Sequence, residues 1–211
     1  MSNITETAKE RFIVINTDEG KFECKIQNVP LNDLRLDPSN PRMVEVGITE
    51  ENITAYDEVS VAKAIKEIAD WSKLKQSILA QGLQDPPYVK KNTDGTYLVR
   101  EGNRRTCTLR DIVNSIQKKE KGYEKYQIED YNMPQCIIYP PEMSERAIAL
   151  HLGQMHVVGK KPYQAFQKAS MCQKMIKLGI EQDQVANSIG LSKGYIKKYL
   201  WSRERLRGCI C

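Results

Sequence analysis

Four adjacent residues offer the clearest chemistry in this chain. Gly102-Asn103-Arg104-Arg105 lies where a strand-like run gives way to a helix-like one. The first turn of a helix exposes unpaired N–H groups and a partial positive charge, which together attract phosphate. Gly102 would let the backbone approach an anion closely, and two arginines would add planar forks for its oxygens. Glu101, just before the glycine, is the one acid placed beside these arginines and the candidate for a catalytic role; Asp37, Asp85 and Asp94 are further acids in loops. The plainer alternative is a turn glycine followed by two surface arginines.

A second group falls between Glu181 and Leu200. Ala186 is small, Gly190 follows four residues later, and Val185, Ile189, Leu191, Ile196 and Leu200 are apolar. This spacing is similar to a DNA-binding helix-turn-helix. Ser192 would cap the second helix. Lys193, Lys197 and Lys198 would face outward to neutralise phosphates, and Ser192 and Tyr195 would reach base edges or backbone. The alternative is an ordinary helical hairpin with its lysines in solvent.

Other reactive residues form no pattern. The two histidines, His151 and His156, are five apart and do not share a helix face; they are expected in a connecting loop or an inter-domain contact. No metal site is expected, because the six cysteines include no Cys-x-x-Cys pair. Without a secretory leader they read as reduced intracellular thiols, and Cys107 as a structural one. No apolar run is long enough to span a bilayer. The expected compartment is the cytoplasm.

These groups need elements to hold them. Residues 11–29 form two short apolar runs around Thr17-Asp18-Glu19-Gly20, which predicts a hairpin. Asp37-Pro38 and Asn40-Pro41-Arg42 force an extended, turning path. Val61, Ala64, Ile65 and Ile68 make a helical stripe, interrupted near Asp70 and resumed by Leu74, Ile78 and Leu79 up to Gly82. Strands follow at Tyr88-Val89-Lys90 and Thr96-Tyr97-Leu98-Val99, joined through Asn92-Thr93-Asp94-Gly95. A helix begins around Thr106. The last strand, Gln135 to Tyr139, meets Pro140-Pro141, the expected domain boundary. Beyond it the chain reads all-helical, with Ala165, Ala169, Cys172 and Ile176 on one face.

Charge divides at the same point. The chain carries 32 Lys/Arg and 27 Asp/Glu, a net +5. Residues 141–211 alone hold 12 bases and five acids, so the basic excess lies in the C-terminal third. That distribution points to a polyanion partner there.

The order of these motifs resembles the ParB/sulfiredoxin-like N-terminal domain followed by a ParB-type helix-turn-helix. The resemblance rests on Asn40-Pro41-Arg42, on Ser77-Ile78 through Gly82-Leu83 to Pro86, and on Gly102 to Arg105. It covers about residues 28–140. It implies an α+β fold: a small mixed-sheet domain over 28–140, preceded by an extension with a hairpin (1–27). An all-helical domain over 141–211 follows, with its helix-turn-helix at about 181–201. It implies that Gly102, Asn103, Arg104, Arg105 and Arg42 hold a nucleoside triphosphate, CTP or ATP, with magnesium. Double-stranded DNA would be the partner of a homodimer without membrane association. Two departures matter. Asn103 stands where sulfiredoxins carry their catalytic cysteine, which excludes that reductase chemistry. The stretch Leu152 to Val157 lacks the family's Glu-Asn-x-x-Arg box. The expected role is nucleotide-responsive DNA binding in plasmid, phage or mobile-element partition or in transcription regulation. A ParB-like nuclease or NTPase, and an interaction adaptor on the same fold, remain alternatives.

Overall fold

The computed structural model describes residues 10–158, 164–192 and 194–197. Six strands form one mixed sheet: β1 (Arg11–Thr17), β2 (Gly20–Asn28), β3 (Leu34–Leu36), β4 (Tyr88–Lys91), β5 (Tyr97–Glu101) and β6 (Gln135–Tyr139). Their spatial order is β1-β2-β6-β4-β5-β3. β1/β2, β2/β6 and β4/β5 are antiparallel, while β4/β6 and β3/β5 are parallel. Among the described residues, six helices of seven residues or more accompany it: α1 (Glu58–Glu67), α2 (Trp71–Gln81), α3 (Asn103–Gln117), α4 (Glu145–Val158), α5 (Ala165–Lys177) and α6 (Gln182–Ser188).

β6 shows how the layers arise. Its side chains alternate between the two faces, as the pleat requires. Cys136 and Ile138 join a core with Leu34, Ile78, Val99, Leu109 and Ile112, beneath α2 and α3. Ile137 and Tyr139 join another with Ile148, Leu152, Met171, Met175, Val185 and Ile189, beneath α4, α5 and α6. A third cluster, including Leu36, Met43, Ile65 and Cys107, lies under α1.

The hairpin at residues 11–28 is built into the sheet through β2 and β6, and Ile15, Phe22 and Cys24 belong to the core beneath α4. Pro140-Pro141 is where the chain leaves β6, and packing continues across it, because the same cluster takes in α4, α5 and α6. The helical stripe breaks where Asp70 adopts φ +64°. On α5 the buried face is Gln167, Met171, Cys172 and Met175, while Ala165 is exposed, so the expected face is rotated towards the methionines.

The expected loop around the histidines is helix. Gly153 lies inside α4 at a close helix crossing. A Cβ there would stand 3.3 Å from Ile189 Cγ2 and 3.3 Å from Met175 Cε. The glycine lets three helices approach one another and does not interrupt one of them.

Candidate functional site

α3 begins three residues earlier than the sequence suggests, so Asn103, Arg104 and Arg105 form its first turn. Gly102 makes the junction with φ +106°, a left-handed conformation. A Cβ at this point would meet Pro87 Cβ at 3.0 Å and Arg105 Nη2 at 3.2 Å. The glycine therefore serves both the turn and the close approach of strand and arginine.

Asn103 is buried and clamps the preceding segment. Its Nδ2 donates to the Asp37 carbonyl at 2.7 Å, and its Oδ1 accepts from the Asp37 N–H at 3.1 Å. With both groups used on backbone, its part is to fix the loop carrying Arg42. Asn40 completes that loop: its Nδ2 donates to the Arg100 carbonyl at 3.0 Å, and its Oδ1 accepts from the Arg42 N–H at 3.0 Å. From the far side α5 holds the same segment, with Lys174 donating to Ser39 Oγ at 2.8 Å and Gln167 to Glu45 at 3.0 Å.

These elements enclose a cavity of about 480 Å³. All five residues expected at an anion site, Arg42 and Gly102 to Arg105, line it. Met43, Leu74, Pro86, Tyr88, Ile137 and Met155 supply apolar wall. Arg104 Nη2 donates to the Ala69 carbonyl at 2.7 Å. The Nε groups of Arg104 and Arg105 are both buried without a hydrogen-bond partner. Burial first, then the Arg42 charge, lowers the pKa of Arg104. Buried donors and crowded like charges are the conditions an anion relieves.

Glu101 is buried beneath the arginines. Its Oε2 meets His156 Nε2 at 3.2 Å and its Oε1 meets Arg105 Nη2 at 3.6 Å. Burial, the largest influence, pushes its pKa up; the His156 hydrogen bond and charge outweigh it, with Arg105 and Arg42, and bring it down to about 2. A carboxylate this acidic with both oxygens engaged is a poor proton acceptor at neutral pH. Glu101 therefore counters the arginines' charge, and the expectation of a catalytic role finds no geometric footing.

His156 belongs to this site although its sequence context predicted a loop or inter-domain contact. It is buried on α4, lines the cavity and is 55 residues from its partner. No sequence spacing could pair them, since only the packing of α4 beside β5 brings them together. His151, on the same helix, meets the Tyr139 hydroxyl at 2.9 Å within an aromatic group that includes Tyr88. Burial, then the His156 charge, lowers its pKa to about 4, so it is neutral.

Among the described residues, no three His, Cys, Asp or Glu side chains cluster as metal ligands. Asp85 lines the cavity, whereas Asp37 accepts from Ser39 and faces Arg100, and Asp94 is bonded to Thr96 in the β4–β5 turn. Cys107 is buried, and desolvation pushes its thiol up to about 11, which suits a structural residue.

The second group is built around α6. Gly190 adopts φ +59°, and Leu191 N–H returns to the Ala186 carbonyl at 3.0 Å. A helical turn follows over 194–197, opened by Ser192: its carbonyl accepts from Tyr195 N–H at 2.9 Å and from Ile196 N–H at 3.1 Å. Val185, Ile189 and Ile196 are buried in the core beneath α4. Ser192, Tyr195 and Lys197 are exposed. Lys193 and Lys198 lie outside the described residues.

No family model matches the chain, and no match is found among curated proteins. Among solved structures the chain is similar to the C-terminally truncated chromosome-partitioning protein ParB from Caulobacter crescentus. In its complex with CTP-gamma-S the identity is 19%, covering 82% of this chain and 76% of that one, with a TM-score of 0.36. In its complex with the centromeric parS site the identity is 16%, covering 82% and 69%, with a TM-score of 0.41.

Proposed function

We propose that this chain is a nucleotide-responsive protein that binds double-stranded DNA and works as a homodimer. Its role is in DNA partition or transcription regulation, including on plasmid, phage or other mobile DNA, in the cytoplasm. The observation that carries the reading is the pair of buried, unpartnered Arg104 and Arg105 Nε groups at the start of α3, in a cavity lined also by Arg42. A triphosphate, CTP or ATP with its magnesium, would bring anionic oxygens against these guanidinium groups and the first turn of α3. The apolar wall offers a surface for the base and sugar. DNA is assigned to the exposed Ser192, Tyr195 and Lys197, with Lys193 and Lys198 extending the same motif. The net positive charge of residues 141–211 supports it. The nuclease alternative draws less support, because of Asp37, Asp85 and Asp94 only Asp85 lines the cavity.

The test is a calorimetric titration of CTP, ATP and GTP with magnesium, with and without duplex DNA, against the natural chain and Arg104→Ala. Saturable binding of one nucleotide, abolished by Arg104→Ala in a folded protein, is expected. Binding that survives the substitution would make the arginines structural. Absence of binding by every nucleotide would remove the nucleotide half of the reading and leave the DNA half to stand on its own assay.

A further inference from the structure

The sheet ends in two edges that are treated differently. At β3 the outer groups are taken by side chains: Leu36 N–H donates to Glu58 Oε1 at 3.2 Å, and the Leu34 carbonyl accepts from Arg110. At the other end lies β1, seven residues long and paired with β2 in unbroken register. Between Phe12 and Thr17 it has no charge, no proline and no bulge, the usual devices that protect an edge. Phe12 is 47% and Val14 55% exposed, on the face turned away from α4. Among the described residues, no strand or side chain bonds the outer edge of β1.

We propose that β1 is a dimerisation edge whose occupant is β1 of a second copy, antiparallel, with Val14 on the two-fold axis. An axis perpendicular to the sheet keeps the helical layers of both copies on the same side. It sets Phe12 opposite Asn16, Ile13 opposite Ile15, and Val14 opposite Val14 of the second copy. Apolar side chains then meet on both faces, which is what stabilises cross-strand pairs. Charge agrees with this register. Arg11 stands opposite Thr17 of the second copy, beside its Asp18-Glu19 turn, whose two acids share Arg146 and so keep part of their charge for it. The one like-charged approach, Glu10 towards that Asp18, is offset by Lys25 on Glu10 and by Arg146, 2.8 Å from Asp18. One strand pair buries less than the roughly 800 Å² per partner of a standard interface. The dimer is therefore weak and concentration-dependent. The inference gives the homodimer of the proposed function its interface and is independent of nucleotide.

The test is sedimentation equilibrium of the full chain over a concentration series, with Val14→Lys, Val14→Glu and an equimolar mixture of the two. Val14 is exposed, so both variants keep the fold, which circular dichroism checks. The natural chain should show a monomer–dimer equilibrium. Each variant should weaken it roughly fivefold or more, since like charges would stand opposite across the axis. The mixture should recover it. A monomeric natural chain would overturn both the edge and the homodimer. A dimer untouched by either variant, or a mixture that does not recover, would overturn the edge alone. A monomer that associates only after residues 2–9 are removed would assign the edge to the chain's own N-terminus and equally overturn the proposal.

Discussion

Replacing His156 with Ala tests whether the buried Glu101–His156 contact holds the site together. Glu101 has its pKa held at about 2 against an ordinary 4.5, with burial opposing and His156 first among the favourable partners. That gap corresponds to roughly 3 kcal/mol favouring the ionised form in the fold. Because the folded-state pKa is the lower one, this stability is fully present above pH 4.5. It is lost as pH falls from there towards 2. Without the imidazole, Glu101 keeps Arg105 at 3.6 Å and the charge of Arg42. A buried carboxylate deprived of its main partner costs about 3 kcal/mol. The variant should therefore lose about that much at neutral pH, and its acid unfolding should begin at higher pH. Urea denaturation of His156→Ala, Glu101→Gln and the double variant across a pH series measures it. The double variant should be more stable than the sum of the single effects allows, since the Glu101–His156 contact, lost in each single variant, is then lost only once. Unchanged stability of His156→Ala, with an unchanged acid limb, would refute the reasoning.

Three further outcomes are expected. His151, with its pKa lowered from 6.5 to about 4, is protonated more readily in the unfolded chain, so its contribution is lost as pH falls from 6.5 to 4. His151→Gln should flatten that part of the stability–pH curve measured by chemical denaturation. Gly102→Ala combines φ +106° with a Cβ at 3.0 Å from Pro87. It should cost about 2 kcal/mol in thermal or urea unfolding and weaken any anion binding. Replacing both Lys197 and Lys198 with Ala should reduce the salt dependence of duplex binding by about two phosphate contacts, read as the slope of log affinity against log salt. An unchanged slope would move the DNA surface elsewhere.

Local chemistry was legible where one segment sufficed. The Asp94-Gly95 turn, the strand at Gln135 to Tyr139 and the stop at Gly82 follow from residue types at adjacent positions. So does the gathering of Gly102 to Arg105 at a strand–helix junction, since the junction itself is local. Three things were not legible. Asn103 looks like an anion ligand in a box, but its buried side chain serves Asp37, 66 residues away. The stretch around Gly153 reads as a loop, but the glycine's missing Cβ makes room for Ile189 and Met175 against α4. His156 has no sequence neighbour to mark it, because its partner reaches it across the packing of α4 on the sheet. In each case the deciding contact is tertiary, and periodicity carries no record of it.

The place of β2 in the sheet also bears on how the chain is made. Lys25 pairs with Ile138 and Asn28 with Gln135, so β2 acquires its second neighbour only after about 110 further residues have been synthesised. At 5–20 residues per second that delay is on the order of ten seconds. During it the nascent hairpin presents open backbone on both sides, and Phe22 and Cys24 have yet to receive α4. The emergence of β6 from the ribosome is thus the event that closes the sheet, and α4, the next helix to emerge, brings His156 to Glu101. A chain halted before Gln135 would hold both arginines of the first turn of α3 and Glu101 beneath them, but not His156, the main partner of that carboxylate.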